Sequence, residues 1–421
     1  TDAAALDRFF FPTLEQLHDP FALAEMEPAV ARVLAAVRRG ERVAVHGDFD
    51  VDGITGTALL TLLLRELRVD GRAAELLPPF VPDRLRDGYG VSARQLDLWA
   101  REGVKLLLTV DTGAAAREEL ERARQAGVEA VVLDHHLFRS RPAAAALVNP
   151  RREDNAYPNP DLSGVGVAFK LAQAIRQAVP AALPEGFLTD VLDLVALGLV
   201  ADQMPLVGEN RVLVTLGLRR LRERPRPGLA ELLRVAGLDK SFPVTANHLA
   251  YQLSPRLNAC GRVGKVQTAL DLLLTDDRAR ARRLAEEADQ TNRERQRLDQ
   301  AVKEEAAALA APFVAQGDRG LVLASPGWHK GVIGIGAARL VEQYHVPSVL
   351  IAIEGDEARG AARSGAGVDI KAVLDRCARL LPRYGGHAQA AGLTLRADDV
   401  DAFRREFLAA LAAAPGGGPP P

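Results

Sequence analysis

The chain has 421 residues, of which 48% are hydrophobic and 26% charged, and its formal net charge is −2. This balance is typical of soluble globular proteins with room for two or three domains, and it neither favours nor excludes nucleic acid as a partner. Because no apolar stretch is long enough to cross a bilayer and the two cysteines, Cys260 and Cys377, lack metal-site spacing, we expect no membrane partner and a reduced, cytoplasmic location.

The first half of the chain predicts a parallel sheet. After an N-terminal helical extension over residues 1–40, three short β-branched runs indicate buried strands: RVAVHGD from Arg42, KLLLTVD from Lys105 and EAVVLDHH from Glu129. ITGTALLTLLLREL and TGAAAREELERARQAG have helical patterns, the second ended by Gly127. Strand–helix–strand order gives parallel pairing, so residues 41–275 are expected to form an α/β domain. Within it, a helix from about Leu183 is expected to end near Asp202.

The second half predicts a long helix and a smaller domain. Residues 276–311 are rich in Arg, Glu and Gln with few helix breakers, which favours a connector helix between domains or, equally, an amphipathic surface helix. Residues 312–413 return to strand–helix alternation, with strand-like GLVLASP, PSVLIAIEG and AAGLTLRAD and helical VIGIGAARLVEQY and VDIKAVLDRCARLL. Residues 414–421 form a Pro/Gly tail expected to be disordered or a linker. The fold class is therefore α/β.

Carboxylates and histidines follow the predicted strands and one predicted helix at the point where each ends. They are Asp48, Asp50, Asp52, Asp111, Asp134, His135, His136 and Asp202. The carboxyl ends of parallel strands meet at one edge of a sheet, so these charges would repel one another there unless cations neutralise them. Oxygen ligands with a few imidazoles suit Mg²⁺ or Mn²⁺, and the number of ligands fits two divalent ions. A single D-x-D segment is more often a turn, and Asp111 alone could cap the helix predicted after it.

Several motifs resemble one known superfamily. GDFDVDG, LLLTVDTG, VVLDHH and VALGLVADQMPL, in this order, resemble the DHH phosphoesterases. VPDRLRDGYGVS, LSGVGVAFKLAQA and SPRLNACGRVG are similar to segments of its RecJ family of single-strand exonucleases, and GGHAQAAGLTL resembles the DHH-associated domain. The likeness covers roughly residues 40–400. It implies a parallel-sheet DHH domain joined by a long helix to a smaller α/β DHH-associated domain.

The resemblance also implies roles for the clustered side chains. It makes Asp111 a bridging ligand of two Mn or Mg ions, places His136 at the scissile phosphate, and leaves Asp134 to orient a histidine; Asp111, His136 and Asp134 are thus the predicted catalytic residues. The role of Asp48 stays open. The implied metal ligands are His46, Asp50, Asp52, Asp111, His135 and Asp202.

A second predicted site would bind a terminal 5′-phosphate. Guanidinium groups bind phosphate bidentately, and glycines allow close backbone approach. The candidates are Arg84, Arg256, Arg262, Arg363, His387, Gly385 and Gly386. Five arginines at 219, 220, 222, 224 and 226 either follow a DNA backbone or form a solvated face, and the solvated face is favoured.

The implied function is metal-dependent 5′→3′ hydrolysis of single-stranded DNA to 5′-mononucleotides in repair and recombination, with single-strand-binding protein and a helicase as possible partners. Relatives with this activity usually carry a further nucleic-acid-binding OB domain, so the chain is expected to be a catalytic core. Alternatives are an oligoribonuclease or cyclic-dinucleotide phosphodiesterase, an inactive scaffold, and an inorganic pyrophosphatase. The connector and SPRLNACGR disfavour a small-nucleotide enzyme, and the intact ligand set disfavours an inactive scaffold. The arginine motifs and the chain length disfavour a pyrophosphatase.

Overall fold

The computed structural model describes residues 6, 9–84, 86–88, 90–238, 243–365 and 367–414. The chain divides into two compact units, residues 1–292 and 293–421, and each is described by itself. The predicted Pro/Gly tail lies outside the described residues except for Ala414. None of the helices in the described ranges combines the length and apolar character needed to cross a membrane.

The first unit is built on a five-stranded parallel sheet with the strand order β2-β1-β3-β4-β5. Its strands are β1 Arg42–Gly47, β2 Glu75–Leu76, β3 Val104–Val110, β4 Glu129–Leu133 and β5 Ala146–Val148. The three predicted strands are β1, β3 and β4. The sequence did not predict β2 and β5, which are two and three residues long.

Helices cover both faces of this sheet. They are α1 Met26–Arg39, α2 Val51–Glu66, α3 Ala93–Arg101, α4 Arg117–Gln125, α5 Gly164–Ala178, α6 Phe187–Asp190, α7 Leu192–Ala201, α8 Gly208–Glu223, α9 Pro227–Val235, α10 Ala246–His248, a π-helical turn Leu249–Leu253, α11 Ser254–Arg262 and α12 Val266–Leu274. Short 3₁₀ turns occur at Leu14–Gln16, Pro20–Ala22 and Pro180–Ala182. The helix predicted from about Leu183 is two helices, because Val191 ends α6 and precedes α7.

The hydrophobic pattern of the strands explains why the sheet is buried on both sides. Along β1, Val43 and Val45 belong to one apolar cluster, whereas Ala44 belongs to the cluster on the opposite face. Successive strand residues point to opposite faces, so a run that is apolar at every position must be covered twice. All the strand ends that carry the predicted site residues therefore open at one edge of a rigid, doubly covered sheet.

A long helix, α13, spans Arg278–Ala315 and contains Pro312 near its end. The boundary between the two units falls within this helix. Its residues contribute to both units: Ala281, Ala285 and Ala288 are buried in the core of the first, and Val302 and Ala306 in that of the second.

The second unit has a mixed five-stranded sheet with the order β6-β7-β8-β10-β9, in which only β6 and β7 pair in parallel. The strands are β6 Leu321–Ser325, β7 Ser348–Glu354, β8 Glu357–Arg363, β9 Arg383–His387 and β10 Ala390–Arg396. The helices are α14 Ile333–Tyr344, α15 Ile370–Arg376 and α16 Val400–Ala412, with 3₁₀ turns at Ala378–Leu380 and Ala397–Asp399. With the first unit, this confirms the predicted α/β fold class.

Candidate metal centre

The loop after β1 and the start of helix α2 carry three carboxylates that are close in sequence, Asp48, Asp50 and Asp52. The Asp50 side chain caps helix α2 by accepting a hydrogen bond from the Gly53 N–H (3.1 Å), and Asp52 lies in the first turn of that helix. Gly53 packs so closely on the backbone of Asp48 that a Cβ at this position would collide with it. The start of the helix therefore lies directly against the end of the strand.

Helix α5 binds the Asp52 carboxylate with its N-terminus. Gly164 N–H donates to Asp52 Oδ2 (2.6 Å) and Val165 N–H donates to Oδ1 (3.0 Å). These are amides that a helix leaves unpaired at its first turn, and the positive end of the helix dipole favours an anion there. Asp52, which is 1% exposed, is thereby fixed although it is fully buried.

Asp111 follows the end of β3 with a left-handed backbone (φ 58°), a conformation uncommon for a residue other than glycine. Its N–H donates to Leu133 O (3.0 Å). Gly164 lies against it, since a Cβ on Gly164 would come within 2.5 Å of the Asp111 Cβ. Backbone strain at a buried carboxylate is typical of functional sites, where the surrounding structure enforces it.

Asp134 fixes the two histidines that follow it. Its Oδ1 accepts from the backbone N–H of His135 (2.7 Å) and of His136 (3.1 Å) and lies 2.8 Å from His136 Nδ1, while Oδ2 accepts from Ala114 N–H (2.8 Å). Both carboxylate oxygens are thus engaged by the protein itself. Asp134 is a positioning residue in this structure.

The remaining side chains converge into three overlapping groups. In each group the ligand atoms lie within 4.8 Å of one another: Asp48, Asp50 and Asp111; Asp52, His135 and Asp202; and Asp111, His135 and His136. His135, a member of the second group, also links that group to Asp111 of the first. Its Nε2 lies 3.0 Å from Asp111 Oδ1, 3.6 Å from Asp202 Oδ2 and 3.9 Å from Asp52 Oδ2. Four chain segments contribute to one cluster.

The electrostatics of the cluster are those of a cation site. Burial, together with Asp52, raises the pKa of Asp111 well above its usual value, and burial with Asp50 does the same for Asp48. Burial and Asp50 raise the pKa of Asp52 to about 6, and burial and Asp52 raise that of Asp202 to about 8. Without positive charge, so many carboxylates cannot all ionise in one buried place.

The cluster also contains buried ligand atoms that lack a hydrogen-bond partner in the described chain, namely Asp48 Oδ1 and Asp202 Oδ2. Burial, reinforced by the neighbouring His136, lowers the pKa of His135 to about 4, which keeps this imidazole neutral as a metal ligand requires. Unpaired buried polar atoms are rare in folded proteins and need an explanation. Carboxylates with a neutral imidazole fit Mg²⁺ or Mn²⁺.

His136 differs from His135 although the two are adjacent. Burial opposes its charge, but the hydrogen bond and the negative charge of Asp134 outweigh burial and raise the pKa of His136 to about 9. Its Nδ1 is occupied by Asp134, and the side chain is 42% exposed. Asp134 therefore favours the protonated form of His136, whose ring is partly exposed.

The structure does not bring His46 into the cluster. Its ring is buried on the other face of the sheet against Phe80 and Trp99, and its Nε2 accepts a hydrogen bond from Ser92 N–H (3.2 Å). Asp48, whose role the sequence left open, takes its place among the candidate ligands. The correction follows from strand geometry, because His46 lies within β1, whereas Asp48 lies beyond its end.

Sequence reasoning missed Asn258 on α11. Its Oδ1 accepts a hydrogen bond from Val51 N–H (3.1 Å), at the start of helix α2. Gly261, one turn on, packs against Phe49 O, which a Cβ would approach to 2.5 Å. The SPRLNACGR segment thus supports the carboxylate loop directly, a long-range contact that no local pattern reveals.

The arginines predicted to bind phosphate in the first unit have different surroundings. Arg84 lies 5.2 Å above the Phe49 ring, and its pKa is lowered by burial and raised by Asp48 and Asp50, with burial prevailing. In the described chain no carboxylate is within ion-pair distance of Arg84. Arg256 instead binds Asp289 (2.9 Å) and Gln252 O (2.6 Å), and Arg262 is the last residue of α11. Arg84 is thus the best placed of the three to accept an anion.

The other candidates lie in the second unit. Arg363 ends β8 and donates to Ala362 O (2.9 Å). Gly385, Gly386 and His387 lie on β9, which is the edge strand of its sheet and is largely exposed. Gly386 has φ 145°, and a Cβ there would collide with Ala390 O, whereas Gly385 has open space. A glycine is therefore required at 386 for the fold itself.

The arginine run on α8 and α9 is largely committed to internal contacts. Arg226 binds Asp193 through two nitrogens (2.9 and 2.8 Å), Arg220 pairs with Asp190 (3.2 Å), and Arg222 donates to Val244 O. These contacts disfavour DNA binding by Arg220, Arg222 and Arg226, and they also differ from the solvated face that the sequence favoured, because these three arginines bind groups of the protein itself.

Two family descriptions match the sequence. Residues 42–199 match the DHH family, N-terminal domain, and residues 317–413 match the DHHA1 domain.

Curated relatives extend the likeness over most of the chain. It is 39% identical over 412 residues to the single-stranded-DNA-specific exonuclease RecJ of Dickeya dadantii, covering 94% of this chain and 70% of the relative. It is 36% identical over 409 residues to RecJ of Bacillus subtilis, covering 96% of this chain and 50% of the relative. The chain thus spans between 50% and 70% of the length of these two relatives.

Solved structures agree. A crystal structure of exonuclease RecJ bound to manganese matches with a TM-score of 0.83 and 35% identity, covering 96% of this chain and 98% of that one. RecJ of Thermus thermophilus in complex with Mn²⁺ matches with a TM-score of 0.81 and 33% identity, covering 97% of this chain and 57% of that one.

Proposed function

The chain belongs to the RecJ family of DHH-domain proteins, and we propose that it is a metal-dependent, single-strand-specific 5′→3′ DNA exonuclease that releases 5′-mononucleotides in DNA repair and recombination. One observation carries this proposal: the buried cluster of carboxylates and histidines keeps a complete set of ligand atoms at the open edge of the sheet. A protein that only bound partners would not need so many buried acids, whose repulsion costs stability.

Two divalent cations, Mn²⁺ or Mg²⁺, are proposed to bind this cluster. Among the described carboxylates, Asp111 alone belongs to two of the three groups, so it would contribute to holding both ions. When bound, such ions supply positive charge for the phosphate oxygens and lower the pKa of a coordinated water. The proposed ligands are Asp48, Asp50, Asp52, Asp111, His135 and Asp202.

His136 is proposed to act on the substrate. Asp134 fixes its ring through Nδ1 and favours the protonated form, so Nε2 can donate a proton or a hydrogen bond to the phosphate or to the leaving oxygen. Both Asp134 oxygens are engaged by the protein, Oδ1 by His136 and Oδ2 by Ala114 N–H, so Asp134 is proposed to act through His136. In this proposal His136 contacts the substrate and Asp134 positions His136.

Recognition of the strand end is proposed to depend on Arg84. Arg84 has no ion-pair partner in the described chain and interacts electrostatically with Asp48 and Asp50. Its guanidinium could therefore bind a 5′-phosphate near the cluster. Arg256, Arg262, Arg363, Gly385, Gly386 and His387 remain proposed contributors.

The cellular setting is also a proposal. An enzyme restricted to single strands needs another protein to separate duplex DNA, and its substrate in cells is normally covered. We therefore propose a helicase and single-strand-binding protein as partners, with action in the cytoplasm.

The test uses an oligonucleotide labelled at its 3′ end and phosphorylated at its 5′ end, with Mn²⁺ or Mg²⁺. We expect a ladder that shortens from the 5′ end, its loss with EDTA, and a loss on the order of a thousandfold with Asp111→Ala. Arg84→Ala should reduce the preference for a 5′-phosphate over a 5′-hydroxyl about tenfold.

Two results would contradict the proposal. Cleavage of a dinucleotide without cleavage of the long strand would indicate a small-nucleotide phosphodiesterase. Failure to cleave either one with either metal would indicate an inactive scaffold.

A further inference from the structure

An exposed leucine directly follows the two histidines of the metal centre in the chain. Leu137 follows His136 and is 77% exposed; among the large hydrophobic residues of the described chain, Tyr251 alone is more exposed, at 79%. Single exposed leucines are common and have no meaning by themselves. The significance of Leu137 lies in how its backbone is fixed and in what lies next to it.

The chain is anchored on both sides of Leu137. On one side, His136 N–H donates to Asp134 Oδ1 (3.1 Å), and Asn149, which is fully buried, donates from Nδ2 to His136 O (2.9 Å). On the other side, Phe138 packs against the apolar cluster of the sheet. Leu137 is therefore not part of a loose loop, and its exposure is imposed by contacts before and after it.

The position of Leu137 defines what it can touch. His136 Nδ1 lies 3.8 Å from Asp111 Oδ1, and Leu137 directly follows His136 in the chain, with the two Cα atoms about 3.8 Å apart. A phosphate in contact with His136 has a nucleoside on each side. An aliphatic side chain cannot bind the phosphate, but it can pack against the apolar face of a base.

We propose that Leu137 packs against the base of a nucleotide that flanks the reacting phosphate. This inference rests on the proposed exonuclease function and adds a specificity-determining residue to it. In a single strand the base faces are accessible, whereas in a duplex they are stacked and paired. A base contact at Leu137 therefore favours single strands and separates nucleic acid from phosphate esters that lack a base.

The test is a double-mutant cycle between the protein and the substrate. Wild type, Leu137→Ala and Leu137→Met are assayed for kcat/KM on a 5′-phosphorylated strand. They are also assayed on strands carrying a tetrahydrofuran abasic residue at the first or second position. Leu309→Ala is the matched control, because Leu309 is a partly exposed leucine on α13. Metal-induced shifts in melting temperature verify that each variant folds and binds Mn²⁺.

We expect Leu137→Ala to lower kcat/KM on the complete strand about tenfold, as the loss of one apolar contact should, and Leu137→Met to retain most activity. On one of the two abasic strands, Leu137→Ala should lose little relative to wild type, because the partner of the side chain is already absent. Leu309→Ala should equal wild type on all strands.

An unchanged kcat/KM for Leu137→Ala, or an equal loss on the complete strand and on both abasic strands, would overturn the inference while the proposed function stands. If wild type fails to cleave the complete strand, the proposed function fails and the inference fails with it.

Discussion

Close backbone packing determines which substitutions the metal centre tolerates. Gly164 serves it twice, since its N–H binds Asp52 and its missing side chain lets helix α5 lie against the Cβ of Asp111. At Gly166, two residues along the same helix, the nearest atoms to an added Cβ all belong to the Leu162 side chain, whose Cδ2 methyl group would lie 3.0 Å away. The same substitution by alanine should therefore be harmful at Gly164 and tolerated at Gly166.

We predict that Gly164→Ala lowers exonuclease activity at least about tenfold, because the added methyl group must move Asp111 or the helix, and metal-site geometry tolerates little displacement. Gly166→Ala should keep near wild-type activity, since the Leu162 side chain can shift. Strand cleavage and the Mn²⁺-induced rise in melting temperature measure both variants. Equal behaviour of the two variants would show that the close approach of Gly164 is unimportant.

At the residue scale, most of the centre could be predicted from the sequence because strand ends meet at one edge of a parallel sheet. Asp50, Asp52, Asp111 and His135 lie together for that reason, and Asp202 joins them from the end of helix α7. His46 was wrongly predicted as a ligand because side chains alternate between the two faces along a strand. His46 therefore shares the face of Ala44 and does not reach the edge of the sheet. Contacts such as Asn258 with Val51 join distant segments and leave no local pattern.

At the scale of elements, α5 and α8 are joined by a buried ion pair. Lys170 Nζ lies 2.9 Å from Glu209 Oε1, and both side chains are 0% exposed. Glu209 also accepts from the Tyr157 hydroxyl and from His18 N–H, and Lys170 donates to His18 O. This cluster ties the N-terminal segment to the helix that binds Asp52.

We predict that Glu209→Gln lowers the free energy of unfolding by about 3 kcal/mol, because it leaves the buried Lys170 ammonium without its counter-charge. The double variant Lys170→Met/Glu209→Leu should be less destabilised than the single variant. Glu121→Gln, which removes an exposed partner of Arg124, is the control and should leave stability essentially unchanged. Urea denaturation measures all three. A Glu209→Gln variant as stable as the control would refute the importance of the buried pair.

The strands of the second unit that sequence reasoning missed share one property. β8 and β9 contain arginines and glycines in place of β-branched residues, and they form because β10 lies between them and pairs with both. Strand propensity depends on neighbouring strands more than on the segment itself. Strongly apolar strands such as β3 were predicted closely, since an apolar residue at nearly every position indicates burial on both faces.

At the scale of the whole molecule, each unit has its own apolar core, and all the candidate metal ligands come from the first unit. The sequence indicated this division by two regions of strand–helix alternation on either side of a charged helical stretch. It could not place the boundary, because α13 continues through it without a break.

We predict that Mn²⁺ stabilises the first unit selectively, since a ligand raises the stability of the part that binds it. Calorimetry with and without Mn²⁺ should show one transition that moves to higher temperature and another that stays. Phe403→Ala, which removes a fully buried side chain of the second unit, should move the second transition downward and leave the metal-induced shift intact. A single transition that shifts as a whole would show that the units unfold together.

The assembly of the centre from distant segments has a consequence for how the protein folds. The ligands extend from Asp48 to Asp202, so no local stretch of the nascent chain can reproduce the cluster. Contacts between distant residues form late, after chain entropy has been lost elsewhere. On the ribosome, the site cannot close before Asp202 has emerged, and metal binding therefore cannot be the nucleus of the first unit's folding.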